Sequence, residues 1–100
     1  MKKLKLNQDV YFEGENHPMK VMAISDKYAI CFIEKNKKPH FLCLDFKNNI
    51  RNIEPYIFER LDSDNQKYAD IQLKEFEEGK SEINRKNSIL LNIDWNATSN

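Results

Sequence analysis

Glycine is scarce in this sequence, which has only Gly14 and Gly79 in 100 residues. Phosphate-binding loops and dinucleotide-binding turns need several closely spaced glycines, and a nucleophile elbow has a glycine on each side of its serine. Neither glycine belongs to such a pattern. The sequence therefore excludes these three kinds of catalytic or nucleotide-binding motif.

Long apolar segments are missing as well. No apolar run approaches the roughly 20 residues that a helix needs to cross a membrane. The first residues, MKKLK, are charged but have no apolar core behind them, so they do not form a secretory signal. We therefore expect a cytoplasmic protein with no membrane partner.

The chain has no net charge, because 16 basic residues balance 16 acidic ones. The two halves differ, however. Residues 1–51 contain 10 Lys and Arg against 6 Asp and Glu, and residues 52–100 contain 6 against 10, which gives +4 and −4. No overall field attracts the protein to nucleic acid, but a dipolar charge distribution is expected.

Cysteine and histidine each occur twice, at Cys31, Cys43, His17 and His40. A Cys–His catalytic pair or a four-ligand zinc site are the two chemical interpretations. The 11-residue gap between the cysteines is not a zinc-knuckle spacing, and no C-x-x-C or H-x-x-x-H pair is present. Thiols in the middle of strands usually pack as small apolar groups. The sequence thus predicts a protein that is not an enzyme and has no metal or cofactor.

Residues 8–58 are rich in short segments in which apolar side chains alternate with period two, the pattern of β-strands. The predicted strands are Val10–Phe12, Met19–Ile24, Tyr28–Ile33 and Phe41–Phe46, with a shorter fifth candidate at Ile50–Ile53. Centring the hairpin turn on Lys37 pairs residues whose numbers sum to 74 and places Cys31 opposite Cys43. Both faces of this hairpin are then apolar, so the second face needs a cover.

A helix over residues 64–78 is the predicted cover. Ser63 and Gln66 have the spacing of a capping box, and Gly79 stands where a helix-terminating glycine belongs. Ala69, Leu73 and Phe76 form its apolar stripe, which we expect to pack on the Cys31/Cys43 face.

Short final strands are predicted at 81–85 and 89–93, followed by a frayed tail at 96–100. Trp95 is expected to pack against the sheet or the helix. Together the patterns predict one α+β domain over residues 1–100. It consists of a small bent antiparallel sheet or SH3-like barrel of four to five strands, with a C-terminal helix on one face and a short final strand.

Two charged surfaces are candidates for partner binding. The first is basic and lies at the hairpin tip: Lys35, Lys37 and Lys38. Lysines there either discourage edge-to-edge aggregation or join the N-terminal lysines in contacting single-stranded nucleic acid. The second is acidic and lies on the helix: Asp64, Asp70, Glu75, Glu77 and Glu78. These carboxylates form either an ordinary solvated face or a surface that occupies a basic groove on a partner.

Several blocks of the sequence carry a resemblance. They are VYFEGE at 10–15, MKVMA at 19–23, DKYA at 26–29, LDF at 44–46, EEG at 77–79 and IDW at 93–95. They resemble a family of small proteins encoded by phages and mobile elements of Bacteroides-type bacteria. The strand pattern is also similar to SH3-like barrels. The resemblance implies a non-enzymatic binding protein acting in the host bacterial cytoplasm.

The most concrete function that the resemblance implies is inhibition of a host defence system, in the manner of an anti-CRISPR protein. The expected partner is a host protein or a ribonucleoprotein effector such as an RNA-guided nuclease, and its guide RNA is a further candidate partner. Two alternatives stay open. One is a nucleic-acid-binding accessory module, and the other is a subunit or regulator of a phage assembly.

Overall fold

The computed structural model describes residues 3–57, 65–81 and 88–98. Within these ranges the chain forms one helix and six strands, in the order β1 Asp9–Val10, β2 Met19–Ile24, β3 Tyr28–Lys35, β4 Lys38–Asp45, β5 Ile50–Ile57, α1 Asn65–Glu77 and β6 Ser88–Leu90. The strands pair antiparallel in chain order in a single sheet. The α+β class is confirmed, and the sheet has more strands than the four to five predicted. The predicted capping box, the helix start at residue 64 and residues 82–85 of the predicted strand lie outside the described ranges.

The register of the β3–β4 hairpin differs by one residue from the prediction. Observed partners sum to 73, so Ile30 faces Cys43 and Cys31 faces Leu42. The turn has only two central residues, Asn36 and Lys37, with φ of 53° and 63°. Positive φ at both positions defines a type I′ turn, whose twist matches that of the strands. The turn type was not evident from the sequence because Lys37 occupies the second central position, where glycine is usual.

The one-residue shift puts the two cysteines on opposite faces of the sheet, since neighbouring residues of a strand alternate. Cys43 packs with Ile30 and Phe41 on the face that α1 covers. Cys31 packs with Ala29 and Leu44 on the other face. The expectation that both faces are apolar is confirmed, but the shared Cys31/Cys43 face is wrong.

Helix α1 packs on β2 and β3 through the predicted apolar stripe. Ala69 and Phe76 are buried and Leu73 packs beside them. At the C-terminal end, the Lys80 amide donates to Glu75 O at 2.9 Å and the Gly79 amide donates to Phe76 O at 3.2 Å. These two bonds form a Schellman motif around Gly79, whose φ of 73° suits glycine. The predicted helix end is confirmed.

The face opposite α1 is covered by segments from both ends of the described chain. Leu4, Val10, Phe12 and Ile93 are buried there together with β2 and β3 side chains. Phe12 and Ile93 form an antiparallel bridge. The flanking backbone bonds run from the Glu13 amide to Asn92 O at 2.9 Å and from the Asp94 amide to Tyr11 O at 2.8 Å. The two edges of the sheet are thus linked beyond β1 and β6.

The predicted frayed tail is corrected at Thr98, which is only 3 % exposed. The Tyr11 amide donates to its hydroxyl oxygen at 2.9 Å. The Asp94 carboxylate accepts from the amides of Asn96 and Ala97 at 3.1 and 3.2 Å, which tightens the turn before it. The chain is therefore held against the N-terminal segment as far as residue 98.

Candidate functional site

The predicted basic surface sits at the far end of the β3–β4 hairpin. Lys35 and Lys37 are exposed there. Lys38 is the first residue of β4 and pairs with Lys35, which places it at the same end of the hairpin. The backbone therefore brings the three predicted positions together around one tight turn.

The predicted acidic surface is less uniform than the sequence suggested. Asp70, Glu77 and Glu78 are exposed, whereas Glu75 is half-buried and accepts from the Ser81 hydroxyl at 3.2 Å. Asp64 lies outside the described residues. Lys67 and Lys74 are also exposed on the helix. At 100° per residue they fall near Asp70 and Glu77, so the outward face carries charges of both signs.

Glu77, at the C-terminal end of the acidic surface, lies at the opposite end of the hairpin from the basic positions. The Ser25 hydroxyl, just before β3 begins, donates to the Glu77 carboxylate. The Phe76 ring lies 5.5 Å from that of Tyr28, the first residue of β3. Lys35 is the last residue of this eight-residue strand. At about 3.3 Å per residue the positions of Glu77 and Lys35 are separated by roughly 23 Å, so one small contact does not span these two.

The thiols are buried in apolar surroundings on their separate faces. Burial raises the pKa of Cys31 from 9.0 to about 12, although the positive charge of Arg51 opposes the rise. Burial is also the main cause of a raised pKa at Cys43, with smaller contributions from Cys31, Asp45 and Glu77. A nucleophilic cysteine needs a lowered pKa and access to substrate. Both thiols are therefore placed for packing, as predicted.

No cluster of three or more metal-ligating side chains occurs in the part of the chain that the structure describes. The alternative zinc site would use Cys31, Cys43, His17 and His40. The observed register places Cys31 and Cys43 on opposite sides of the sheet, so the four side chains do not form one site.

One concave surface was not predicted from the sequence. It is a groove of about 880 Å³ on the face away from α1, at the end of the sheet where β2 turns into β3. Its apolar wall consists of Leu4, Ile24, Phe46, Leu91, Ile93 and Trp95, and its polar rim of Lys3, Ser25, Asp26 and Asn49. We call this surface the Trp95 groove.

Four chain segments meet in the Trp95 groove. Phe46 follows β4 and is held by its amide, which donates to Lys27 O at 2.9 Å. Leu91 follows β6, and its amide donates to Asn49 O at 2.6 Å. Leu4 and Ile93 are buried at the base, whereas Ile24, Phe46, Leu91 and Trp95 stay partly exposed. The backbones of Phe46 and Leu91 are thus fixed by hydrogen bonds while their side chains stay partly exposed to a ligand.

The chemistry of the Trp95 groove suits binding. An apolar floor with two aromatic rings and a sparse polar rim is typical of ligand and partner sites. At the rim, the Ser25 oxygen accepts from the Tyr28 amide at 3.2 Å, and its hydroxyl faces Glu77. This serine is engaged in closing the β2–β3 turn.

The signal for the groove in the sequence was weak. Trp95 was expected to pack against the sheet or the helix, and it packs against the sheet, on the face away from α1. Its neighbours in the groove come from residues 3 to 93, and no periodicity connects residues so far apart.

Among the described residues, no helix has the length and apolar character to cross a membrane. The comparisons with known proteins gave no relatives: no family model matches the sequence, and no curated protein or solved structure matches it either.

Proposed function

We propose that this protein is a non-enzymatic binding protein of a phage or mobile element that inhibits a host defence system in the anti-CRISPR manner. Its partner in this proposal is an RNA-guided nuclease or the guide-loaded complex in the host cytoplasm. The observation that supports a binding role is the Trp95 groove, which leaves aromatic and aliphatic side chains partly open on a rigid sheet.

The groove has the composition of an interface centre. Binding energy at protein interfaces concentrates in a few aromatic and apolar anchors surrounded by a polar rim. Phe46 and Trp95 provide such anchors, and Lys3 and Asp26 carry opposite charges at the rim. A partner loop that inserts an apolar side chain would bury both rings and could pair with either rim charge. A standard interface buries about 800 Å² on each side, so contacts must extend beyond the groove.

The predicted charged surfaces are candidates for that extension. Asp26 is close to the C-terminal end of α1, because the neighbouring Ser25 bonds to Glu77. The carboxylates of Glu77 and Glu78 are thus the nearer of the two predicted sets. Lys35 and Lys37, at the other end of β3, would contact a different part of a large partner.

The finer fold proposed is an SH3-like barrel. Support comes from the bridge between Phe12 and Ile93, which links the two edges of the bent sheet. Small barrels of this kind carry many binding functions, so the fold itself does not select the partner.

The experiment that tests the function measures CRISPR interference in a Bacteroides-type host. Plasmid-transformation efficiency is compared in cells expressing the wild type, Trp95→Ala, Asp26→Lys or Ile71→Ala. Ile71 is 45 % exposed on α1 and provides a matched apolar control away from the groove. We expect the wild type and Ile71→Ala to restore transformation, and the two groove variants to lose the effect.

Each variant is first checked by circular dichroism and thermal unfolding. Asp26→Lys lies on an exposed turn, so its fold should be intact even if Trp95→Ala is destabilised. Unchanged interference with the wild type would refute defence inhibition. Tight binding of single-stranded RNA or DNA by the isolated protein in a low-salt gel shift would favour the accessory-module alternative. Self-association in sedimentation without binding to an effector would favour the assembly subunit.

A further inference from the structure

Strand β6 forms one edge of the sheet, where it pairs with β5 alone among the described strands. Leu90 is 70 % exposed and Ile89 is 41 % exposed, so two neighbouring residues of this short strand present large apolar side chains to solvent. Successive residues of a strand point to opposite faces, so the edge is apolar on both sides. Natural edge strands usually carry a charge, a proline or a bulge that discourages pairing with another chain. The segment from Ser88 to Asn92 contains neither a charged residue nor a proline.

The backbone of Leu90 is directed away from β5. Leu91 donates its amide to Asn49 O at 2.6 Å, and Leu90 is the register partner of Ile50. In an antiparallel ladder, pairs that exchange hydrogen bonds alternate with pairs that do not. Because Leu91 and Asn49 form a hydrogen-bonded pair, Leu90 and Ile50 form a pair of the other kind. The amide and carbonyl of Leu90 therefore point toward the outside of the sheet.

The opposite edge of the sheet is covered by the chain itself. Val10 of β1 is 0 % exposed, and the Tyr11 amide donates to the Thr98 hydroxyl oxygen. Phe12, the next residue, bridges to Ile93. An added strand is therefore blocked at this edge, and copies of the chain cannot extend the sheet head to tail. The arrangement left to a second copy is β6 against β6 about a two-fold axis.

We propose that β6 is a self-association surface, at which two copies of this chain pair antiparallel about a two-fold axis close to Ile89 and Leu90. Two-fold pairing places each residue opposite itself or a near neighbour, so a charged residue there would face its own copy and destabilise the pair. The uncharged segment from Ser88 to Asn92 meets this requirement, in a chain with 16 basic and 16 acidic residues. An unrelated protein is usually selected through complementary charges, and this edge provides none.

The part of the edge that can accept a strand is short. The Asn92 carbonyl already accepts from the Glu13 amide, so an added strand must end before this residue. Ile89 and Leu91 supply the side-chain contacts on the face away from α1, and Leu90 supplies them on the other face. So small an area is typical of weak, transient interfaces. We therefore expect a dimer that forms only at high protein concentration.

Self-association through β6 is independent of the proposed function. It is measured on the purified protein, whereas defence inhibition is measured in cells with variants of the Trp95 groove. A failure of either proposal leaves the other intact.

The test is sedimentation equilibrium of the full chain over a concentration series, with circular dichroism to verify that each variant is folded. The wild type should change from the monomer mass of 11.9 kDa toward twice that value as the concentration approaches about 1 mM. Leu90→Lys should stay monomeric throughout, because two ammonium groups would meet near the axis. Ile71→Lys is the matched control. It adds the same charge at a 45 % exposed apolar residue of α1 and should leave the dimer unchanged.

A mixture of two variants makes the experiment decisive. Leu90→Lys and Leu90→Glu should each be monomeric alone, and their equimolar mixture should associate, because two-fold pairing brings the opposite charges together. In the wild type, hydrogen exchange of the Leu90 amide should slow as the concentration rises.

Three results would overturn the proposal: a wild type that stays monomeric at every concentration, a dimer that persists in Leu90→Lys, or a mixture that does not associate. Loss of the dimer in Trp95→Ala together with its persistence in Leu90→Lys would assign the contact to the Trp95 groove instead.

Discussion

The guanidinium carbon of Arg51 lies 4.5 Å from the centroid of the Phe12 ring. Phe12 is 2 % exposed and forms the bridge to Ile93, so the arginine packs against the place where the two ends of the sheet meet. Its contacts with Phe12 and Glu15 connect β5 to the N-terminal segment. This arrangement predicts unequal contributions of the two charged partners to stability.

Replacing Arg51 with alanine should lower the free energy of unfolding by about 2–4 kcal/mol, because the cation–π contact and the buried side-chain volume are both lost. Glu15→Ala should cost less than about 1 kcal/mol, since a pair with a well-exposed partner is screened by water. Urea unfolding of both variants measures the difference. Equal costs would contradict the assigned role of Arg51 in the core.

The type I′ turn predicts a stabilising substitution. Lys37 has a φ of 63°, which costs a non-glycine residue about 1 kcal/mol, so Lys37→Gly should raise the free energy of unfolding by roughly that amount. Lys38→Gly is the matched control. It lies in β4, where glycine should destabilise by about 0.5–1 kcal/mol. Thermal unfolding of the two variants should therefore show Tm changes of opposite sign, and a loss of stability in Lys37→Gly would argue against the turn.

The buried Thr98 hydroxyl predicts a distinction between two small substitutions. Thr98→Val removes the acceptor for the Tyr11 amide and should cost about 1–3 kcal/mol, because a buried donor is left unsatisfied. Thr98→Ser keeps the oxygen and should cost less. The measurement is urea unfolding, with hydrogen exchange of the Tyr11 amide as a local check. Rapid exchange of this amide in the wild type would show that the tail is not held.

The buried Cys31 thiol predicts a stability that falls at alkaline pH. Its pKa rises from 9.0 in the unfolded chain to about 12 in the folded protein, so the folded state retains a proton that the unfolded state loses in this interval. The contribution of this thiol to the free energy of unfolding is fully present below pH 9. Above pH 9 it decreases by up to about 1.4 kcal/mol per pH unit. Unfolding at pH 8 to 10.5 should show a shallower decline in Cys31→Ala than in the wild type. Identical slopes would mean that the thiol is accessible to water.

Much of the secondary structure could be predicted from local patterns. Strands β2, β3 and β4 follow the alternation of apolar residues, and α1 ends at Gly79 because glycine accepts the positive φ of a Schellman motif. Strand β5 is longer than predicted. It reaches Ile57 across a register shift between the β4 residues Phe41 and Cys43, which gives Pro55 an irregular position in the ladder.

The hairpin register could not be predicted with the same security. Alternation is equally well satisfied by partners that sum to 73 or to 74 when both faces are apolar. The choice depends on whether Lys37 accepts a left-handed conformation. The positive φ of Lys37 thus goes with the register that places Cys31 and Cys43 on opposite faces of the sheet.

The sequence by itself determined which segments are strands, where the helix ends, and that both faces of the sheet need a cover, because each depends on residues close together in the chain. Only the tertiary structure decided the register, the Trp95 groove and the position of Arg51 beneath Glu15. The groove and the contact of Arg51 with Glu15 join residues 36 to more than 80 positions apart, and their geometry depends on how the bent sheet brings distant side chains into contact. The register depends on the backbone conformation at Lys37, which the alternation of apolar residues does not specify.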